Sequence, residues 1–153
     1  MRLNTTATSI SVLGYAGLIP FAVACVLAVI GLDGLASKLF FSYSAIILSF
    51  LGGALWGRII SCEQPQSTAV ISALIASNVF ALLGFAALLL ISIGPLLPLV
   101  FLTAGFVAIL IAEQALSRVL APVPLEMHPR YAGLRAVLSI GVLLLHGVFY
   151  FLV

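Results

Sequence analysis

The chain has 153 residues, 64% of them hydrophobic and only 7% charged, and a mean hydropathy of +1.37. Soluble domains carry about a quarter of their residues as charged side chains, so this composition excludes an ordinary water-soluble domain and indicates a membrane protein. Six Lys/Arg against four Asp/Glu leave a formal charge of +2 with no basic run able to follow phosphates, which argues against nucleic acid as a partner.

Crossing about 30 Å of hydrocarbon takes about 20 helical residues. Five windows meet that length: 11–31, 40–60, 68–91, 95–114 and 134–153. The runs are continuously apolar, whereas barrel strands alternate, so the expectation is an all-α polytopic bundle of about five transmembrane helices forming one integral membrane domain, 1–153. The opening "MRLNTT" superficially suggests a signal peptide, but the run that follows is too long for an h-region and is expected to stay in the mature protein. Within it, "AVAC" ending at Cys25 is a poor lipoprotein site, because the apolar run continues past it. Pro20 predicts a kink in the first span.

The connections carry turn-forming residues. "LDGLASK" (32–38) and "CEQPQS" (62–67) read as short loops, and "SIGP" (92–95) as a tight hairpin that makes spans three and four antiparallel neighbours. "LSRVLAPVPLEMHPRYAG" (116–133) holds three prolines and cannot form one continuous helix. Cytoplasmic loops retain Lys and Arg. Arg2, Arg58, Arg118, Arg130 and Arg135 fall on one side and Lys38 on the other, so the N-terminus is expected inside and the C-terminus outside.

In the second span Ala45, Ser49, Gly53 and Gly57 recur every fourth residue and read as a helix-packing ridge, since small residues let backbones approach closely in lipid. A leucine at Gly53 is expected to break that packing. Ala69, Ala73, Ser77 and Ala81 form a similar ridge on span three, and the two helices are expected to pack together. Trp56, beside Arg58, reads as an interfacial anchor, because indole prefers an apolar body with its N–H toward headgroups.

Acids within spans are costly, so Glu113 leads the candidates for a polar site, with Arg58 and Arg135 expected on the same side. The plainer alternative is an interfacial ion pair of Glu113 with Arg58, Arg118 or Arg135. Asn78 lies near the middle of span three, where its amide should hydrogen-bond to another helix rather than face lipid. His146, in span five, could be a haem ligand, a proton relay or a buried polar contact. A bis-histidine haem within the chain is excluded on depth, because His128 lies in the opposite-side loop. "EMHPRY" (126–131) gathers acid, histidine, arginine and tyrosine, which suits either headgroup recognition or a solvated turn.

The catalytic templates fail in turn: there is no zinc-spaced Cys/His cluster, no H-E-x-x-H, no G-x-S-x-G and no P-loop. The expectation is therefore a protein that is not an enzyme, needs no cofactor, and has the lipid bilayer and other membrane-protein subunits as partners.

Three segments together carry a family resemblance: "LGYAGLIPF" (13–21), "YSAIILSFLGGALWG" (43–57) and "YAGLRAVLS" (131–139). They resemble the uncharacterised family of small multispan membrane proteins defined by the domain of unknown function DUF3429, found in proteobacterial membranes and mitochondria and including transmembrane protein 69. The most specific part is the pattern Ser49, Gly52, Gly53, Trp56, Gly57. Members often place histidine or arginine before that tryptophan, whereas this chain has Leu55, so a role of that basic residue does not carry over. The resemblance implies a helical architecture and a bacterial inner-membrane location, and no reaction. The residues themselves favour an accessory, assembly or scaffold component of a membrane complex, with a small transporter or lipid-handling protein as the alternative. An enzyme or electron carrier built on His146 comes third.

Overall fold

A computed structural model of the chain describes residues 9, 11–61, 68–118 and 129–153. They form helices α1 (Ile19–Val29), α2 (Asp33–Ile60), α3 (Thr68–Leu90), α4 (Leu96–Ser117) and α5 (Pro129–Leu152), with no strand among the described residues. Five helical segments, Ser11–Val29 and those of α2 to α5, are long and apolar enough to cross a membrane. The protein is an all-helical, multi-pass membrane bundle.

The boundaries depart from the apolar windows where helices run past the hydrocarbon-like stretch. Residues 33–38, expected as a loop, instead form the first turns of α2. Asp33 sits in the first turn, where a carboxylate is favoured by the helix dipole, and Ala36 and Phe40 are fully buried. The true connection is the turn at residues 30–32, where Gly31 takes φ of 82°, a left-handed conformation suited to glycine. Between α3 and α4 the hairpin forms as expected, with Gly94 at φ 143° and Pro95 as the N-cap residue of α4. α4 continues to Ser117, and α5 opens at Pro129, earlier than its apolar window. The loop "CEQPQS" (62–67), residues 126–128 of "EMHPRY" and the centre of the 116–133 connection lie outside the described residues.

Pro20 acts as its sequence position predicts. Residues 11–16 are helical, a turn follows at Gly17 and Leu18, and α1 restarts with Pro20 in its first two positions, where its missing N–H breaks no helical bond. The Gly17 N–H donates to the carbonyls of Leu13 and Gly14, both at 3.1 Å, which closes the broken turn.

The chain divides into two compact units, Met1–Phe40 with Pro124–Val153, and Phe41–Val123. In the first, α1 and its preceding turn pack on α5 in parallel. A Cβ at Gly14 would lie 2.8 Å from Leu138 Cδ1, and one at Gly141 would lie 3.1 Å from Leu18 Cδ1.

In the second unit, α2 and α3 run antiparallel at very close range. A Cβ at Gly52 would lie 2.6 Å from the Ser77 carbonyl oxygen, and one at Gly84 would lie 2.9 Å from that of Ala45 and 3.1 Å from Ser49 Oγ. Moving from Gly52 back to Ala45 on α2 matches moving from Ser77 forward to Gly84 on α3, so one register holds over two turns. α4 docks on the same helix, with Leu48 Cδ2 placed 2.6 Å from where Gly105 would carry a Cβ. Lipid offers no hydrophobic drive between helices, so such van der Waals approach is what associates them.

The expected ridge on α2 is therefore partly corrected. Ala45 is buried and Ser49 half-buried at the α3 contact, but Gly53 and Gly57 have open space where a Cβ would go, and the packed glycine is Gly52. The reason is geometric: a strict four-residue repeat advances 400° around the helix and drifts about 40° per step, so Gly53 and Gly57 rotate off the contact. Ala45, Leu48, Gly52, Leu55 and Ile59, at alternating three and four spacing, keep to the buried face.

Gly52→Leu and Gly84→Leu should each destabilise the protein by about 2 kcal/mol or more, because the added side chain meets backbone that cannot yield. Gly53→Leu should cost under about 0.5 kcal/mol, as expected at an uncrowded surface position. Reversible unfolding in mixed detergent micelles measures both, and equal losses at Gly52 and Gly53 would refute the register.

Candidate functional site

Two places where polar side chains are withdrawn from solvent stand out in a chain this apolar. The first surrounds His146, whose side chain is only 1% exposed. It lies on α5 one turn before Phe149. Ring contacts enclose it: Phe40 edge-on at 4.8 Å and 67° between planes, and Phe21 tilted at 5.7 Å and 51°. Phe40 in turn stacks on Phe149 at 4.0 Å and 9°, and meets Phe21 in a T-shape at 5.3 Å. All four side chains belong to the first unit, so α1, the start of α2 and α5 converge on one aromatic cluster.

The imidazole uses its own helix for hydrogen bonding. Nδ1 lies 2.9 Å from the Val142 carbonyl oxygen, and because a carbonyl can only accept, Nδ1 carries the hydrogen. In the neutral ring that leaves the lone pair on Nε2. Aromatic edges and faces provide a favourable quadrupolar environment for this ring, worth about 1 kcal/mol per good pair beyond contact area. The structure shows His146 as a buried polar group held among aromatic rings.

The second is the expected polar site. Arg58 stands in the last turn of α2 and Glu113 near the end of α4, both half-buried and both in the second unit. Their levels agree. From the Leu48–Gly105 contact, Arg58 is ten residues along α2 and Glu113 eight along α4; the helices run the same way, so the two differ by only about 3 Å in height. Nε and Nη2 of Arg58 are screened from solvent. Arg135 is half-buried in the opening turns of α5 and belongs to the first unit. Each of the three takes part in an interaction within the chain. Trp56, at the same end of α2 as Arg58, is 45% exposed.

Asn78 departs from its expected place. It was expected to bond across to another helix; instead Nδ2 donates to the Leu74 carbonyl of its own helix at 3.0 Å, and the side chain is exposed. Ser77, its buried neighbour, likewise donates to Leu74 at 2.7 Å, and Thr103 to Leu99 at 2.7 Å. Such back-bonding satisfies a hydroxyl in a dry environment without a second helix. Among the described residues, no group of three or more His, Cys, Asp and Glu is gathered as a metal site would require.

A family model described as a protein of unknown function, DUF3429, matches residues 6–151. The chain belongs to the DUF3429 family. No curated protein and no solved structure matches it. The match spans all five membrane helices, so in this family member the aromatic cluster around His146 and the close contacts at Gly52, Gly84 and Gly105 lie within the shared region.

The aromatic cluster is what sequence reasoning missed. Phe21, Phe40 and Phe149 were three among ten phenylalanines in an apolar chain, with only the His146–Phe149 spacing of one helical turn as a signal. If His146 is a packing residue, His146→Phe should keep the fold within about 1 kcal/mol, while His146→Ala should cost about 2 kcal/mol or more through the cavity it opens. Micelle unfolding of both variants tests this, and a large loss in His146→Phe would show that the imidazole supplies more than volume.

Proposed function

We propose that this chain is a non-catalytic component of the bacterial inner membrane, acting as an accessory, assembly or scaffold subunit of a larger membrane complex. Its partners are the lipid bilayer and other membrane-protein subunits, and its N-terminus faces the cytoplasm in accord with the basic residues. The supporting observation is where the chain commits its chemistry. The helices are fastened to one another at small residues, while large aliphatic and aromatic side chains on every helix, such as Val26, Phe50, Leu82, Ile111 and Leu144, face outward. Ser77, Thr103 and His146 each hydrogen-bond to a carbonyl of their own helix. A protein built this way acts through its flanks.

One observation favours a second reading, a small transporter or lipid-handling protein. Arg58 and Glu113 reach the same level on parallel helices of one unit, an arrangement that can hold a zwitterionic or anionic headgroup.

Gentle native purification with mass spectrometry of bound proteins and lipids separates the two. The subunit reading expects a membrane protein in fixed proportion, retained in Glu113→Gln and Arg135→Ala and lost in Gly84→Leu. The second reading expects the chain by itself with a phospholipid that Arg58→Ala or Glu113→Gln releases. A chain isolated with neither would overturn both.

A further inference from the structure

The outward face of α3 is ordered in a way lipid exposure does not require. Ile71, Ile75, Asn78, Leu82, Phe85 and Leu89 follow one another at spacings of four, three, four, three and four, the a/d pattern of a left-handed helix seam. All six are exposed, including Ile75 at 61% and Leu82 at 65%. The inward seam of the same helix is separate: Ser77, Phe80, Gly84 and Ala87 are the buried positions, and at about 100° per residue the outward set lies on the opposite side. From Ile71 to Leu89 the seam rises about 27 Å, close to the thickness of the hydrocarbon core.

Apolar side chains on such a face are at ease in lipid and identify no partner. Asn78 is not at ease. It stands one residue from the middle of α3, where water is absent, and its amide has two N–H donors and a carbonyl acceptor. Among the described residues its hydrogen bond is the one from Nδ2 to Leu74, which leaves a donor and the Oδ1 acceptor on an exposed surface. An amide in hydrocarbon gains strongly from a partner at the same depth.

We propose that α3 pairs with α3 of a second copy of this chain along the outward seam, with Asn78 bonded to the same residue of that copy. Three features select a second copy over another protein. Every copy inserts in the same direction, so two α3 helices meet in parallel and their amides share one depth by symmetry. An amide is self-complementary, so across a twofold axis each Nδ2–H donates to the other Oδ1. The seam carries no charge, and a parallel twofold pair matches each apolar layer with itself, Ile75 with Ile75 and Leu82 with Leu82, around one polar layer that fixes the register. The pairing holds whichever complex the chain joins.

The test uses the full-length chain in phosphatidylcholine and phosphatidylglycerol vesicles, in a Cys62→Ser background with the buried Cys25 retained. Oxidative cross-linking should join copies carrying Ile75→Cys or Leu82→Cys and spare Leu144→Cys, which is 64% exposed on α5. Energy transfer between labelled copies on lipid dilution should show pairing weakened about tenfold by Asn78→Leu and largely kept by Asn78→Gln, the scale of one interhelical amide bond in lipid. The side chain is exposed, so circular dichroism and micelle unfolding of Asn78→Leu should match the unmodified chain. Absence of cross-links at both seam positions, equal cross-linking at Leu144→Cys, or undiminished pairing of Asn78→Leu would overturn the proposal. So would capture of a different protein at Ile75→Cys and Leu82→Cys in native membranes.

Discussion

Backbone approach at glycine is the constraint on which the second unit depends. Dispersion between side chains falls off within an ångström of optimal contact, and lipid tails compete for every apolar surface, so a helix pair in hydrocarbon gains most where backbones themselves come close. Gly52 against the Ser77 carbonyl and Gly84 against that of Ala45 achieve this at two levels of one antiparallel pair. Two fixed points set both the register and the rotation of α3. Rotation then decides what faces outward: with Ser77 and Gly84 turned inward, Asn78 and Leu82 have no other direction to take. The same reasoning links α4, whose Gly105 admits Leu48 and so sets the height at which Glu113 stands relative to Arg58.

The number and order of the spans were legible in the sequence because length and apolarity are what the bilayer itself selects. The kink at Pro20 and the hairpin at Gly94 were legible too, since missing donors and left-handed backbone leave few residue choices. Helix ends were less so: residues 33–38 look like a loop by hydropathy, yet an acid in a first turn favours a helix start, and Ala36 and Phe40 are buried beyond it. Apolarity marks where a membrane helix crosses, not where the helix stops.

Facing was the least legible feature, for a physical reason. In a soluble protein the inward side of a helix is the apolar side, so periodicity identifies it. Here both sides are apolar, and the small-residue repeat was the remaining guide. It named the right helix pair, α2 with α3, and the right neighbourhood, but followed a four-residue repeat where the helix turns every 3.6, and so chose Gly53 over Gly52. The aromatic cluster was hidden likewise: no pattern distinguishes Phe21, Phe40 and Phe149, which enclose a histidine, from Phe50 and Phe85, which face outward.

His146 and Asn78 then show why polar residues carry most of the information in such a chain. Each sits within a span, and each places one hydrogen bond on its own helix, to Val142 and to Leu74. His146 is enclosed by rings whose edges and faces suit an imidazole, so packing within its own unit accounts for its burial. Asn78 is held outward by the glycine contacts that fix α3, with one N–H donor and the Oδ1 acceptor of its amide unused on that helix. Turning it inward would break the Gly52 and Gly84 contacts, so the fold itself keeps the amide on the outer face. Where packing within one unit turns a polar group away from its neighbouring helices, the amide is left to seek its partner beyond that unit.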